Sequence, residues 1–135
     1  MIRVVAAVIE REGRFLIAKR RPGGALGGRW EFPGGKIEPG ETPEESLRRE
    51  LREEFQVETE IGSFLGSEVH KYPTFTIDLM AYRAVCVSGE FKLADHAEIQ
   101  WALPGELDRY DFAEADHFIV RMLLGAPASL PASES

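Results

Sequence analysis

The chain has 135 residues, a net charge of −7 and one cysteine, Cys86. Such a length fits one folded domain that buries roughly two thirds of its unfolded surface. The negative charge argues against a nucleic-acid polymer as partner, because polymer binding calls for a basic stripe, and a lone cysteine excludes an internal disulfide framework.

Apolar residues make up 44% and charged residues 29%, ordinary for a soluble globular protein. No apolar stretch is long enough to span a membrane. Met1 runs straight into a strand pattern with Glu10 and Arg11 close behind, so no signal peptide and a cytoplasmic location are expected. Acidic residues remain compatible with a small phosphate substrate, since they hold Mg²⁺ and the metal meets the phosphates.

Residues 2–9 form a nearly continuous apolar run, the mark of a buried strand. Arg11, Glu12 and Gly13 make a tight turn, and residues 14–20 are the return strand. A glycine-rich loop covers 22–28; Trp30, Glu31 and Phe32 then lead into the break Pro33-Gly34-Gly35. A charged helix is predicted over 43–55. Strands follow near 58–70, 75–87 and 99–103, punctuated by Gly66, Pro73, Gly89 and Pro104. Cys86 falls in one of these apolar runs and reads as a core thiol. An amphipathic helix is predicted over 112–124 with Gly125 as its C-terminal cap. Residues 1–125 read as a single domain, and residues 126–135 as a disordered tail of low complexity. The order of elements predicts an α/β fold with a mixed sheet and helices packed on it.

The first helix is the most informative segment. Thr42 fits the N-cap, Pro43 the first helical position, and Glu45 completes a capping box. Leu47, Leu51 and Phe55 form the core stripe. At about 100° per residue from Leu47, Glu54 falls near −20°, Glu50 near −60° and Glu53 near −120°. Arg48, Arg49 and Arg52 fall between about 100° and 200°, so carboxylates and arginines occupy separate arcs. Glu44–Arg48 and Glu45–Arg49 are favourable pairs four residues apart, whereas Glu50–Glu54 is a repulsive one. Glu54 also borders the core stripe, where an unpaired carboxylate is costly, and acids near a helix C-terminus oppose its dipole. A divalent cation relieves all three penalties; a solvated acidic face is the rival explanation, and geometry alone leaves the two level.

The segment GKIEPGETPEESLRRELREEFQV resembles the Nudix box: Gly35, Glu41, Arg49, Glu50, Leu51, Glu53, Glu54 and Val57 stand at the box spacings. Gln56 stands where the family usually has glycine, which puts the helix end in question but removes no ligand. RWEFPGGKIEPGETPEE, together with VVAAVIEREGRFLIAKR, DHAEIQW and FAEADHFIV, resembles the MutT-type branch, which includes CTP pyrophosphohydrolases and oxidised-dGTP hydrolases. The resemblance spans residues 2–124 and implies the Nudix fold, an α/β/α sandwich with a mixed central sheet.

The resemblance also implies the roles. Gly34 (through its carbonyl), Glu50, Glu53 and Glu54 would bind Mg²⁺, with Mn²⁺ a substitute. Glu50 would act as general base on the attacking water, and Arg49 would orient it. Glu41 would be an outer contributor or simply a loop acid. Asp95 matches a further metal position, with Glu98 as competitor; His96 reads as a structural histidine, because Mg²⁺ prefers oxygen. Arg20 and Lys36 match phosphate-facing positions. Phe32 and Tyr72 are candidates to sandwich the base, or ordinary core rings. Asp116 matches the position that reads the base; the bland alternative is an acid favoured in the first turn of a helix.

These roles imply Mg²⁺-dependent hydrolysis of (d)CTP, a modified cytosine nucleotide or 8-oxo-dGTP to the monophosphate and pyrophosphate, a nucleotide-pool-sanitising activity in the service of DNA repair. The rival readings are hydrolysis of another diphosphate such as ADP-ribose, and a non-catalytic nucleotide sensor. The expected partner is a small nucleotide, with no nucleic-acid polymer and no membrane, and the protein is expected as a monomer or homodimer.

Overall fold

The computed structural model describes residues 1–24, 26–94 and 96–125, so the expected tail at 126–135 and the candidate ligand Asp95 lie outside the described residues. Its elements are β1 (Ile2–Arg11), β2 (Arg14–Arg20), β3 (Trp30–Glu31), β4 (Gly34–Lys36), α1 (Pro43–Phe55), β5 (Glu58–Lys71), β6 (Thr76–Ser88), β7 (His96–Ala102) and α2 (His117–Gly125). Two short 3-10 turns, Pro104–Arg109 and Glu114–Asp116, lead into α2.

β1 is the hub. It pairs parallel with β6 along one edge and antiparallel with β4 and the start of β2 along the other. β5 extends the sheet beyond β6, while β3 and β7 extend it on either side of β2, all antiparallel. The sheet is therefore mixed. Ala6 and Val8 of β1 join the core under α2, while Val5, Ala7 and Ile9 join the core under α1. A strand covered on both faces has no polar side to show, hence its unbroken apolar run. With a helix on each face, the architecture is the α/β/α sandwich expected.

The turn between β1 and β2 has Glu12 at φ 53° and Gly13 at φ 79°, the two-residue geometry that matches strand twist. The capping box of α1 forms in full, with Thr42 Oγ1 accepting from Glu45 N–H and Glu45 Oε1 accepting from Thr42 N–H. Leu47, Leu51 and Phe55 are completely buried.

Four expectations change. The last helix starts at His117 rather than Phe112, because the preceding backbone is drawn to β3: Trp30 N–H donates to Asp111 O and Ala113 N–H to Trp30 O. β7 begins at His96 rather than Ile99, because the ladder to β2 continues as far as Arg20. The Gly34-Gly35 break is a short strand on β1. Cys86 is only partly buried, at the rim of the core, where its Sγ reaches Ser88 O. Among the described residues no helix is long and apolar enough to cross a membrane.

Gln56 ends α1 in the left-handed conformation, φ 59° and ψ 40°, with its N–H on Arg52 O. A side chain there costs about 1 kcal/mol relative to glycine. Gln56→Gly is therefore expected to raise the urea midpoint by the equivalent of roughly 0.5–1 kcal/mol, somewhat less than the full cost because glycine also frees the unfolded chain. A lower midpoint would show that the Gln56 side chain contributes more than its backbone costs.

Candidate active site

The box helix is anchored by a single guanidinium. Arg49 donates to both oxygens of Glu41, at 2.6 and 2.9 Å, to Glu50 Oε2 at 3.0 Å, to Glu53 Oε1 at 3.2 Å and to Lys36 O at 3.1 Å. The arcs expected to be separate thus meet at Arg49, and its expected partner Glu45 is engaged in the helix cap instead. The physical reason is reach: the long arginine side chain bridges back to the loop before the helix, where Glu41 offers a two-pronged acceptor. Arg49 holds Glu41 down to a pKa of about 2. Burial pushes Glu50 upward, and the Arg49 charge opposes that shift.

Glu50 lies against the backbone of β4. A Cβ on Gly35 would fall within 2.6 Å of the Glu50 carboxylate, and one on Gly34 would collide with Val5 O. Gly35 therefore lets a charged group lie flush against the strand, while Gly34 lets that strand pack closely on β1. Beside it opens a cleft of about 650 Å³, lined by Gly34, Gly35, Lys36, Glu38, Glu50 and Glu54 at one end. Arg20 and Glu31 join its wall, as do Phe32, Tyr72, Phe75 and Asp116 among aliphatic residues of β1 and β6.

Most of the expected site residues therefore share one cavity. Arg49 and Glu53 stand outside its lining, and the Glu53 side chain is 60% exposed. Glu98 accepts from Gln100 and does not line the cleft. His96 is a buried structural histidine, as expected, bonded to Glu31. Among the described residues no three carboxylate, histidine or cysteine side chains form a ready-made metal cage. The cleft does offer hard oxygen donors beside an open space, in a cradle that only glycine permits. That fits Mg²⁺, which takes one or two carboxylates and completes its shell with water and phosphate oxygens.

The other end of the cleft is aromatic. Tyr72 stacks on Phe75, with ring centroids 4.8 Å apart, and its hydroxyl oxygen accepts from Ala115 N–H. Phe32 is 2% exposed and stacks on Phe112, so its ring is mostly committed to the core. Asp116 is buried, and its Oδ2 accepts from Phe32 N–H at 2.8 Å. Burial, and then the nearby Glu31 charge, push its carboxyl up to about 8. Glu31, Phe75 and Glu38 were not singled out from sequence. For Glu31 the available signal was a lone carboxylate between Trp30 and Phe32; for Phe75 there was none, since an aromatic at a strand start is commonplace.

Residues 4–122 match the NUDIX domain. The chain belongs to the Nudix family. It is a hydrolase of the MutT-like branch. It is 36% identical over 132 residues to the CTP pyrophosphohydrolase of Escherichia coli, covering 98% of each chain. It is 39% identical over 116 residues to the putative 8-oxo-dGTP diphosphatase 2 of Mycobacterium tuberculosis, covering 84% of this chain and 81% of that one. The solution structure of the E. coli ORF135 protein superposes with a TM-score of 0.83 at 36% identity, over 98% of this chain and 94% of that one.

The raised Asp116 carboxyl has a consequence for this Nudix hydrolase. The folded protein keeps a proton that the unfolded chain releases near 3.8, so stability falls as pH rises from about 4 to about 8. Asp116→Asn keeps an acceptor for Phe32 N–H and removes the titration. The variant is expected to lose that downward slope and to be more stable at pH 8 by about 1 kcal/mol or more, a few degrees in Tm. Equal pH dependence of Tm in the two proteins would mean that Asp116 ionises freely in the fold.

Proposed function

We propose that the protein hydrolyses a nucleoside triphosphate, either (d)CTP or a modified cytosine nucleotide, or 8-oxo-dGTP, to the monophosphate and pyrophosphate with Mg²⁺. The observation that carries this reading is one cleft whose lining includes the box carboxylates Glu50 and Glu54, the rings of Phe32, Tyr72 and Phe75, and Asp116. Bound there, Mg²⁺ supplies Lewis-acid chemistry, drawing charge from phosphate oxygens and making the attacking water more acidic. Gly34, Glu50, Glu53 and Glu54 are the residues to hold it, with Asp95 a further candidate.

Glu50 Oε2 accepts from Arg49, which leaves Oε1 to take the proton of the attacking water. Arg49 fixes the direction of that carboxylate. Lys36 and Arg20 offset charge that develops on the phosphates. The base stacks in the aromatic end, against Tyr72 and Phe75 more than Phe32. Glu53→Gln and Glu54→Gln are each expected to lower Mg²⁺-dependent pyrophosphate release at least about 10²-fold with Tm little changed. Unchanged release would remove both residues from the site. A substrate panel in which ADP-ribose turnover exceeded that of triphosphates would overturn the substrate class, and tight nucleotide binding without any product would favour the sensor.

The proton on Asp116 favours 8-oxo-dGTP at neutral pH, while the relative at 36% identity is named for CTP. A protonated carboxyl donates to a purine O6; an ionised one accepts from the cytosine amino group. The ratio of kcat/KM for 8-oxo-dGTP to that for dCTP is therefore expected to fall as pH rises through about 8, the value to which the carboxyl is raised. Asp116→Asn should flatten that dependence. A ratio that ignores both pH and the substitution would mean that the base is read elsewhere.

A further inference from the structure

Arg20, Glu31 and His96 stand on three neighbouring strands, β2, β3 and β7, and meet on one face of the sheet. The strand register explains why. Lys19 pairs with Glu98, but Arg20 pairs with His96, so Ala97 is an extra residue in β7. In a regular ladder Ala97 would oppose Arg20, and His96 would share the other face with Glu98. The bulge turns His96 onto the face of Arg20. Glu31 lies opposite Ala18, one step along the same face.

Glu31 accepts from both neighbours. Arg20 Nη1 donates to Oε1 at 3.1 Å, and His96 Nε2 meets Oε2 at 2.7 Å. His96 is 4% exposed and lies flat on Phe55, the last residue of α1, with centroids 5.3 Å apart and planes 11° from parallel. Its Nδ1 is sealed from solvent with no hydrogen-bond partner among the described residues. A hydrogen on Nδ1 would be a buried donor without an acceptor, so the ring carries its hydrogen on Nε2 and donates it to Glu31. Fixed contacts thus run from the end of the box helix through His96 and Glu31 to Arg20. Arg20 is the outer link, 48% exposed, lining both the main cleft and an adjoining cavity of about 290 Å³.

A free arginine side chain gives up rotamer freedom when a ligand fixes it. One already held by a carboxylate gives up less, and presents its remaining N–H groups in a set direction. We propose that Glu31 and His96 are positioning residues that preorganise Arg20 for the phosphate chain of the substrate. The inference rests on the triphosphate reading above. It goes beyond that reading by making residues outside the box responsible for how the phosphates are met.

The test is a double-mutant cycle of wild type, Glu31→Gln, Arg20→Ala and the pair, with kcat, KM and urea midpoint measured on each using 8-oxo-dGTP and dCTP. Glu31→Gln is expected to raise KM about tenfold with Arg20 present, and no more than about twofold when Arg20 is alanine. His96→Gln, which keeps a donor for Glu31, should stay closer to wild type in KM than His96→Leu. An equal factor in both Arg20 backgrounds would reduce Glu31 to a tie between strands and overturn the proposal. So would a fall in KM, which would mean that Glu31 only masks the charge of Arg20. If wild type hydrolyses no nucleoside triphosphate, the substrate reading fails on its own. Positioning is then read from Mg²⁺–inorganic triphosphate binding by calorimetry on the same four proteins, with non-additivity expected and additivity overturning it.

Discussion

The arrangement depends on the contact between the Glu50 carboxylate and the side-chain-free backbone of Gly35. A helix normally keeps a strand at a distance set by the side chains between them. Here no Cβ intervenes, and a charged group is brought against the strand on which the cleft opens. Such a group cannot stand alone beside a core. Arg49 holds it from the other side and, through Glu41 and Lys36 O, ties the loop before the helix to the same point. Removing one partner would leave the others buried or repelling, so the box behaves as a unit rather than as a set of separable ligands.

The cleft is divided electrostatically as well as chemically. Beside its box end, outside the lining, Arg49 drives the Glu41 carboxyl strongly acidic. At its base end Asp116 is kept protonated near neutrality by burial and by the charge of Glu31. Two carboxyl groups, Glu41 beside the cleft and Asp116 within it, are thus shifted in opposite directions, one by an arginine and the other by burial.

Much of this was legible in the sequence because it is local. The capping box, the core stripe of α1, the return strand and its turn all follow from residues within a few positions of one another. The Nudix motif is legible for the same reason, since its spacing is that of one helix and the loop before it. What was hidden depends on distant backbone. The start of α2 shifted because Trp30 captures residues 111–113, and nothing near Phe112 in sequence announces that. The meeting of Arg49 with the acids was misjudged because helical angles locate a Cα and not the end of a long side chain. Glu31 was missed because its partners, Arg20 and His96, come from two other strands, and the bulge that aligns them is a single extra residue in a ladder.

The parallel pairing of β1 with β6 bears on how the chain comes to fold. Ile2 pairs with Ile77 and Ile9 with Ala84, so the strand at the centre of the sheet is synthesised well before its main partner, which follows about 75 residues later. Until then its apolar residues lack the surface that covers them, while the β5–β6 hairpin forms from neighbouring sequence. Topology of this kind sets a slow, late-closing step. During synthesis β1 is thus the strand of this domain most exposed to wrong partners, and the one that most needs the rest of the domain to follow promptly.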